Sequence, residues 1–228
     1  MKILILQNRM GIGDMIMFLP FIEAISKKFK TPVTILAKKN TKVEMYFNNK
    51  EIVEEIMYLE REDNKKHSGV KGFFKLVNEL KLKKFDKVFI FNSSLRYFLI
   101  SKFSGIKEVF HYPLFKKKNQ QIIEAAKEFT LKSIGEDVES TPRLFLKEQD
   151  ILKARKDHSI DQSITNIILG IGGSGKTKRV PASIFKSFMS KVLKRSNCRF
   201  FLMTGNNIDE LKIMNEIIES KYKEYCTR

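Results

Sequence analysis

Two short stretches of the chain carry side chains that can do chemistry. Near the N-terminus, Asn8-Arg9-Met10-Gly11-Ile12-Gly13-Asp14 sets two glycines, a cation and a carboxylate directly behind an apolar run. In the second half, residues 170–179 hold four glycines, the hydroxyls of Ser174 and Thr177, and the cations Lys176, Lys178 and Arg179. A carboxylate can take the proton of an attacking hydroxyl. Glycine amides flanked by cations can surround phosphate oxygens.

Asp14 has two readings. At a helix start it caps free backbone N–H groups, as Asp commonly does. As a general base it deprotonates an acceptor hydroxyl, although a helix N-terminus stabilises the carboxylate and weakens it as a base. Arg9, Gly11 and Gly13 form the acceptor-side loop around it, the glycines allowing a backbone approach that a side chain would block. The dinucleotide fingerprint G-x-G-x-x-G is not met, because position 16 is Ile, and this disfavours a tight dinucleotide site.

The second loop satisfies G-x-x-x-x-G-K-[ST] over residues 170–177, which raises a P-loop NTPase or kinase acting through Lys176. Such a loop continues into a helix near its Lys. Here Pro181 follows five residues later and disrupts that helix at a cost of roughly 3 kcal/mol. The next strand runs into Gly205-Asn206-Asn207 instead of a metal-binding Asp. The other reading starts the helix at Pro181, a residue suited to a first helical turn. It leaves 170–180 as a phosphate loop in which Ser174, glycine amides and Lys176, Lys178 or Arg179 surround a diphosphate.

These loops need a scaffold, and the periodicity supplies one. Strand-like runs at 2–7, Val33–Ala37, Ile52–Leu59, Lys87–Phe91 and Lys107–His111 alternate with helical stretches at 14–29, 40–48, 68–82, 94–104 and 119–134. That alternation predicts a parallel sheet covered by helices. A polar, acidic segment with turn formers follows at 135–142 and reads as linker. A second series then begins, with strands at Thr165–Leu169 and Arg199–Thr204 and helices at 181–195 and 207–220. Two strands are too few for a stable sheet, so the second domain reads as incomplete. The expected domains are an N-terminal Rossmann-like domain at 1–140, a linker at 141–160 and a partial nucleotide-binding domain at 161–228.

Composition narrows the class. The 228 residues are 43% hydrophobic and 11% aromatic, with 19 Phe and no Trp, which supplies a real core and excludes global disorder. The net charge of +17 admits polyanionic partners without choosing among them. Only nine of the 43 basic residues are Arg, the residue that reads bases, so nucleic acid is not expected. Cys198 and Cys226 show no disulfide or zinc spacing, and His67, His111 and His158 have no ligand spacing. No D-x-D pair occurs, so no bound metal or other cofactor is expected. No segment reaches membrane-spanning length, so the reading is a cytoplasmic protein. Lys65-Lys66 and Lys116-Lys117-Lys118 are either a solvated charged surface or a contact with an anionic glycolipid at the membrane face.

Together the two loops resemble glycosyltransferase family 9, the family of the lipopolysaccharide heptosyltransferases. The family's N-terminal signature is similar to Arg9-Met10-Gly11-Ile12-Gly13-Asp14 followed by Leu19-Pro20. Its second-domain loop, P-G-x-S-x-x-x-K-x-W-P, is matched at Gly172, Ser174, Lys178 and Pro181, with Ile171 and Val180 replacing Pro and Trp. The resemblance implies a GT-B arrangement of two Rossmann-like domains facing a cleft. It implies Asp14 as catalytic base, Lys178 on the donor diphosphate, Ser174 on a phosphate oxygen, and Gly172, Gly173, Thr204 and Gly205 lining the donor site. The implied reaction moves a heptose-like sugar, with inversion, from a nucleotide-diphosphate sugar to a glycan or lipopolysaccharide-core acceptor. Peripheral contact with the inner membrane is implied as well. The family's D-x-G-x-x-H segment has no match here, so the chain reads as C-terminally truncated. It is then either a fragment of a transferase or a sugar-nucleotide-binding remnant without transfer activity.

Overall fold

The computed structural model describes every residue except 10, 48, 115–119, 145 and 174. The chain divides into two compact units, Met1–Phe145 and Leu146–Arg228. A helix, Glu148–Asp157, occupies much of the stretch expected to be linker. All ten of its residues are exposed, so no apolar stripe announces it.

In the first unit, β1 (Ile3–Gln7) is buried along its whole length. Ile3 and Ile5 face one core, and Leu4 and Leu6 the other. This is the two-sided burial that a continuous apolar run predicts for a central parallel strand. The chain continues through α1 (Ile12–Ile16), α2 (Leu19–Phe29), β2 (Val33–Ala37), β3 (Val53–Tyr58), α3 (Gly69–Lys83), β4 (Lys87–Ile90), α4 (Leu95–Phe103), β5 (Glu108–His111) and α5 (Ile122–Ile134). The five strands are parallel in the order β3-β2-β1-β4-β5. One face carries α2 and α5 through Phe21, Ile22, Ile25 and Phe129, and the other carries α3 and α4 through Leu76, Leu80, Tyr97 and Ile100. Full burial of each such side chain contributes about 1.5–3 kcal/mol.

Two expected helices differ. The single helix over 14–29 is split at Met17–Phe18, because Pro20 at the second position of α2 has no N–H to give the carbonyl of Ile16. The stretch 40–48 forms two short 3-10 turns, Lys39–Thr41 and Val43–Met45.

The second unit holds α6 (Glu148–Asp157), β6 (Thr165–Gly170), α7 (Ala182–Leu193), β7 (Cys198–Met203), α8 (Ile208–Ile218) and β8 (Cys226–Thr227). Its sheet is parallel, ordered β6-β7-β8. The third strand corrects the count of two. β8 is two residues long and carries too short a pattern to read from sequence.

Candidate functional sites in the two units

In the first unit the strand order reverses between β1 and β4. The chain builds β2 and β3 on one side of β1 and then returns to place β4 and β5 on the other. Open α/β sheets bind ligands at the carboxyl edge of such a switch point. The loop after β1 carries Arg9, Gly11 and Asp14, and the loop after β4 carries Asn92 and Ser93. Phe91 N–H donates to the Leu6 carbonyl at 3.0 Å and holds the two exits side by side.

Gly11 is the residue before α1, with φ +105°, a conformation that L side chains avoid. Gly13 lies within α1 with open space around it. Asp14 falls in the first turn of α1, yet no side chain caps that helix. Its half-buried carboxylate has no hydrogen-bond or ion-pair partner among the described residues. The capping geometry is therefore not adopted, and the carboxylate is uncommitted.

A buried amide, Gln7, and a half-buried one, Asn92, flank this loop, and neither was singled out from the sequence. Gln7 is 0% exposed, and its Oε1 accepts the Arg9 N–H at 2.7 Å. Asn92 repeats the arrangement after β4, its Oδ1 accepting the Ser94 N–H at 2.9 Å. The Nε2 of Gln7 and the Nδ2 of Asn92 lack any partner among the described residues. Each amide shapes a loop with its oxygen and keeps a donor uncommitted. The one legible signal was a polar residue closing an otherwise apolar strand. Beside this edge, Arg9, Phe18, Ser93, His111, Tyr112 and Phe129 help line a cavity of about 610 Å³. Burial pushes the Tyr112 phenol upward despite the opposing charge of Arg9, so it stays protonated.

In the second unit, the loops after β6 and β7 are joined by Glu210. Its carboxylate accepts the Gly173 N–H at 3.1 Å and the Gly205 N–H at 2.9 Å. These two bonds hold its pKa below the ordinary carboxylate value, the Gly173 bond most of all. Arg179 donates to Asp209 at 2.6 Å and lies 3.9 Å from Glu210. Both amides are thus donated to a side chain of the protein. A Glu at a helix start reads as an ordinary first-turn acid, which is why the sequence did not reveal it.

The glycines of these loops leave room for neighbouring atoms. A Cβ at Gly173 would lie 2.9 Å from the Lys178 carbonyl, and one at Gly172 or Gly205 would lie 3.3 or 3.1 Å from the Glu210 carboxylate. Lys178 is exposed at the end of a 3-10 turn, Lys176–Lys178. Thr204 donates its hydroxyl to the Gly205 carbonyl at 2.5 Å. Ser174 and Lys116-Lys117-Lys118 lie outside the described residues, and so does the side chain of Lys176. The P-loop alternative finds no helix to build on. Pro181 is extended (φ −62°, ψ 150°), and α7 starts only after it.

The comparisons with known proteins agree at the level of fold. No protein-family model matches the chain, and no curated protein matches it. Solved structures do match over nearly its whole length. The E. coli ADP-heptose LPS heptosyltransferase II is 17% identical, with a TM-score of 0.65 over 99% of this chain and 71% of that one. A glycosyltransferase family 9 protein from Veillonella parvula is 15% identical, with a TM-score of 0.70 over 96% and 67%. The UDP-GlcNAc 2-epimerase of Neisseria meningitidis also matches, at 14% identity and a TM-score of 0.52 over 99% and 71%. The fold is thus α/β and GT-B-like. Within that class, the family resembled by the two loops is among the chain's structural neighbours. An epimerase on the same fold shows that architecture alone does not choose the reaction.

Proposed function

We propose that this chain is a glycosyltransferase that moves a heptose-like sugar from a nucleotide-diphosphate donor to a glycan or lipopolysaccharide-core acceptor, with inversion. The uncommitted Asp14 carboxylate at the switch point carries the reading. In the first unit, Arg9 orients an acceptor hydroxyl, and Asp14 takes its proton as the oxygen attacks the anomeric carbon. The bond from that carbon to the diphosphate oxygen breaks, and the diphosphate departs with the electron pair. In the second unit, Lys178, Ser174, Thr204 and the backbone at Gly172 receive the diphosphate and its developing charge. Gly173 and Gly205 shape this loop through Glu210.

The reading includes a cytoplasmic location and transfer without a bound metal. Among the described residues no helix is long and apolar enough to cross a membrane. Titration with ADP- and UDP-sugars, followed by turnover with glycan acceptors, tests the assignment. Asp14→Asn is expected to lower kcat at least 100-fold, the scale of a lost general base, with nucleotide affinity unchanged. Lys178→Ala should weaken nucleotide-diphosphate binding about tenfold, or about 1.4 kcal/mol, and EDTA should leave the rate as it was. Full turnover by Asp14→Asn, or a magnesium requirement tied to Lys176, would refute the proposal. Binding without turnover in the unaltered chain would favour a non-catalytic remnant.

A further inference from the structure

Helices α3 and α4 turn an apolar, basic face to solvent that the site chemistry does not use. On α3 the inward positions are Gly72, Leu76, Val77 and Leu80. The outward side carries Val70 and Phe74 one turn apart, with Lys71, Lys75, Lys81 and Leu82 alongside. Val70 is 73% exposed, Phe74 57% and Leu82 82%, and on α4 Phe103 is 63% exposed. Phe73 joins the two helices, its ring 5.2 Å from Phe74 and 6.0 Å from Phe103. The exposed rings therefore form one patch across two helices, unlike the singly scattered apolar residues of ordinary surfaces.

The exposed charges on the two helices have one sign. Lys71, Lys75, Lys81 and Lys102 are exposed, and none has a carboxylate partner among the described residues. The one acidic residue of α3, Glu79, is held by Lys66 at 2.8 Å and by His67 at 3.2 Å. The sequence of α4 contains no acid.

We propose that the α3–α4 face docks on an anionic lipid bilayer. Phe74 and Phe103 enter the boundary between headgroups and acyl chains, while Lys71, Lys75, Lys81 and Lys102 meet lipid phosphates. Amphipathic surfaces with apolar rings and a lysine rim bind in this way without spanning the membrane. Charge complementarity selects this occupant. A symmetric dimer through the face would set unpaired lysines of one copy against those of the other. Lys66, which the sequence offered as a membrane contact, is committed to Glu79 instead.

The inference is independent of the transferase reading, because binding is measured without donor or acceptor. Flotation with vesicles of phosphatidylglycerol plus phosphatidylcholine should carry the chain up, and pure phosphatidylcholine should not. Phe74→Ser with Phe103→Ser, or Lys71→Glu with Lys75→Glu, should each weaken binding about tenfold or more. Lys153→Glu with Lys156→Glu on α6 makes the same charge change elsewhere and should cost less than about twofold. Leu82→Ser, at a largely exposed position, serves as an apolar variant whose folding is secure, and circular dichroism checks all of them. Four outcomes would overturn the proposal. The chain ignores anionic vesicles, or the α6 variant loses as much as the α3 variant. The face buries itself in a dimer that Phe74→Ser with Phe103→Ser dissolves, or RNA binds more tightly than vesicles through the same lysines.

Discussion

Gly173 and Gly175 stand two residues apart in the same loop, and their surroundings separate them. A Cβ on Gly173 would press on the carbonyl of Lys178, which is backbone and yields only if the turn carrying Lys178 moves. A Cβ on Gly175 meets nothing within 4 Å. Gly173→Ala is therefore expected to displace Lys178, break the Glu210 bond to the Gly173 amide and weaken nucleotide-diphosphate binding about tenfold or more. Gly175→Ala should stay within about twofold of the parent. Isothermal titration with ADP and UDP checks the pair, and equal losses in both would mean that glycine content, not this packing, governs the loop. The Glu210 bridge also sets a pH dependence at the acid end. A carboxylate with a depressed folded pKa contributes stability above its unfolded value of about 4.5, and that contribution is lost as pH falls through the folded value.

At the scale of elements, the connection from β3 to α3 turns on one histidine. His67 is 1% exposed, its Nδ1 accepting the Glu60 N–H at 3.0 Å and its Nε2 lying 3.2 Å from Glu79. Nδ1 accepts, so the proton sits on Nε2 and the ring is neutral. Burial, the largest cause, drives its pKa down, with Glu79 opposing. The unfolded chain takes up a proton near pH 6.5 while the folded chain resists it, so stability falls as pH drops below about 6.5 and flattens beneath the folded pKa. Urea midpoints at pH 7.5 and 5.5 should show this slope, and His67→Ala, less stable throughout, should lose it. A slope that survives the substitution would place the titrating group elsewhere.

Neighbouring elements show what the sequence could and could not disclose. Val33–Ala37 is found over the residues its pattern predicted, because a fully buried run rich in β-branched residues, bounded by Pro32 and Lys38, has few alternatives. Pro20 was visible as well, yet the pattern over 14–29 stayed apolar enough to read as one helix. His67 and Glu210 act through partners well removed along the chain, the Gly173 bond spanning 37 residues, and residue type and local spacing carry no record of such bonds, whereas Gln7 and Asn92 each accept from an N–H only two residues on. Asp14 could be picked out as a candidate because its loop is local. Whether it was tied up by a helix end could be read only from coordinates.

At the scale of the whole molecule, the two units bury their sheets differently. The first packs both faces of five strands under its own helices. In the second, α7 and α8 cover one face through Leu169, Phe200, Leu202, Phe185 and Ile217. On the opposite face Ile168 is 70% exposed and Met203 57%. Parallel sheets are stable when both faces are covered, and a small unit with one core has little reserve against chain entropy. Expressed separately, residues 1–145 should give one cooperative urea transition, while residues 146–228 should unfold at less than about half that urea concentration and bind a hydrophobic dye beforehand. Equal midpoints would show that one core suffices for the smaller sheet. The asymmetry matters for the proposed chemistry, because the proposed nucleotide loop rides on the unit with one helix-covered face. A donor bound there at about 100 times its Kd should stabilise that unit by about 2.7 kcal/mol, so ligand should raise the melting of residues 146–228 and leave residues 1–145 unmoved.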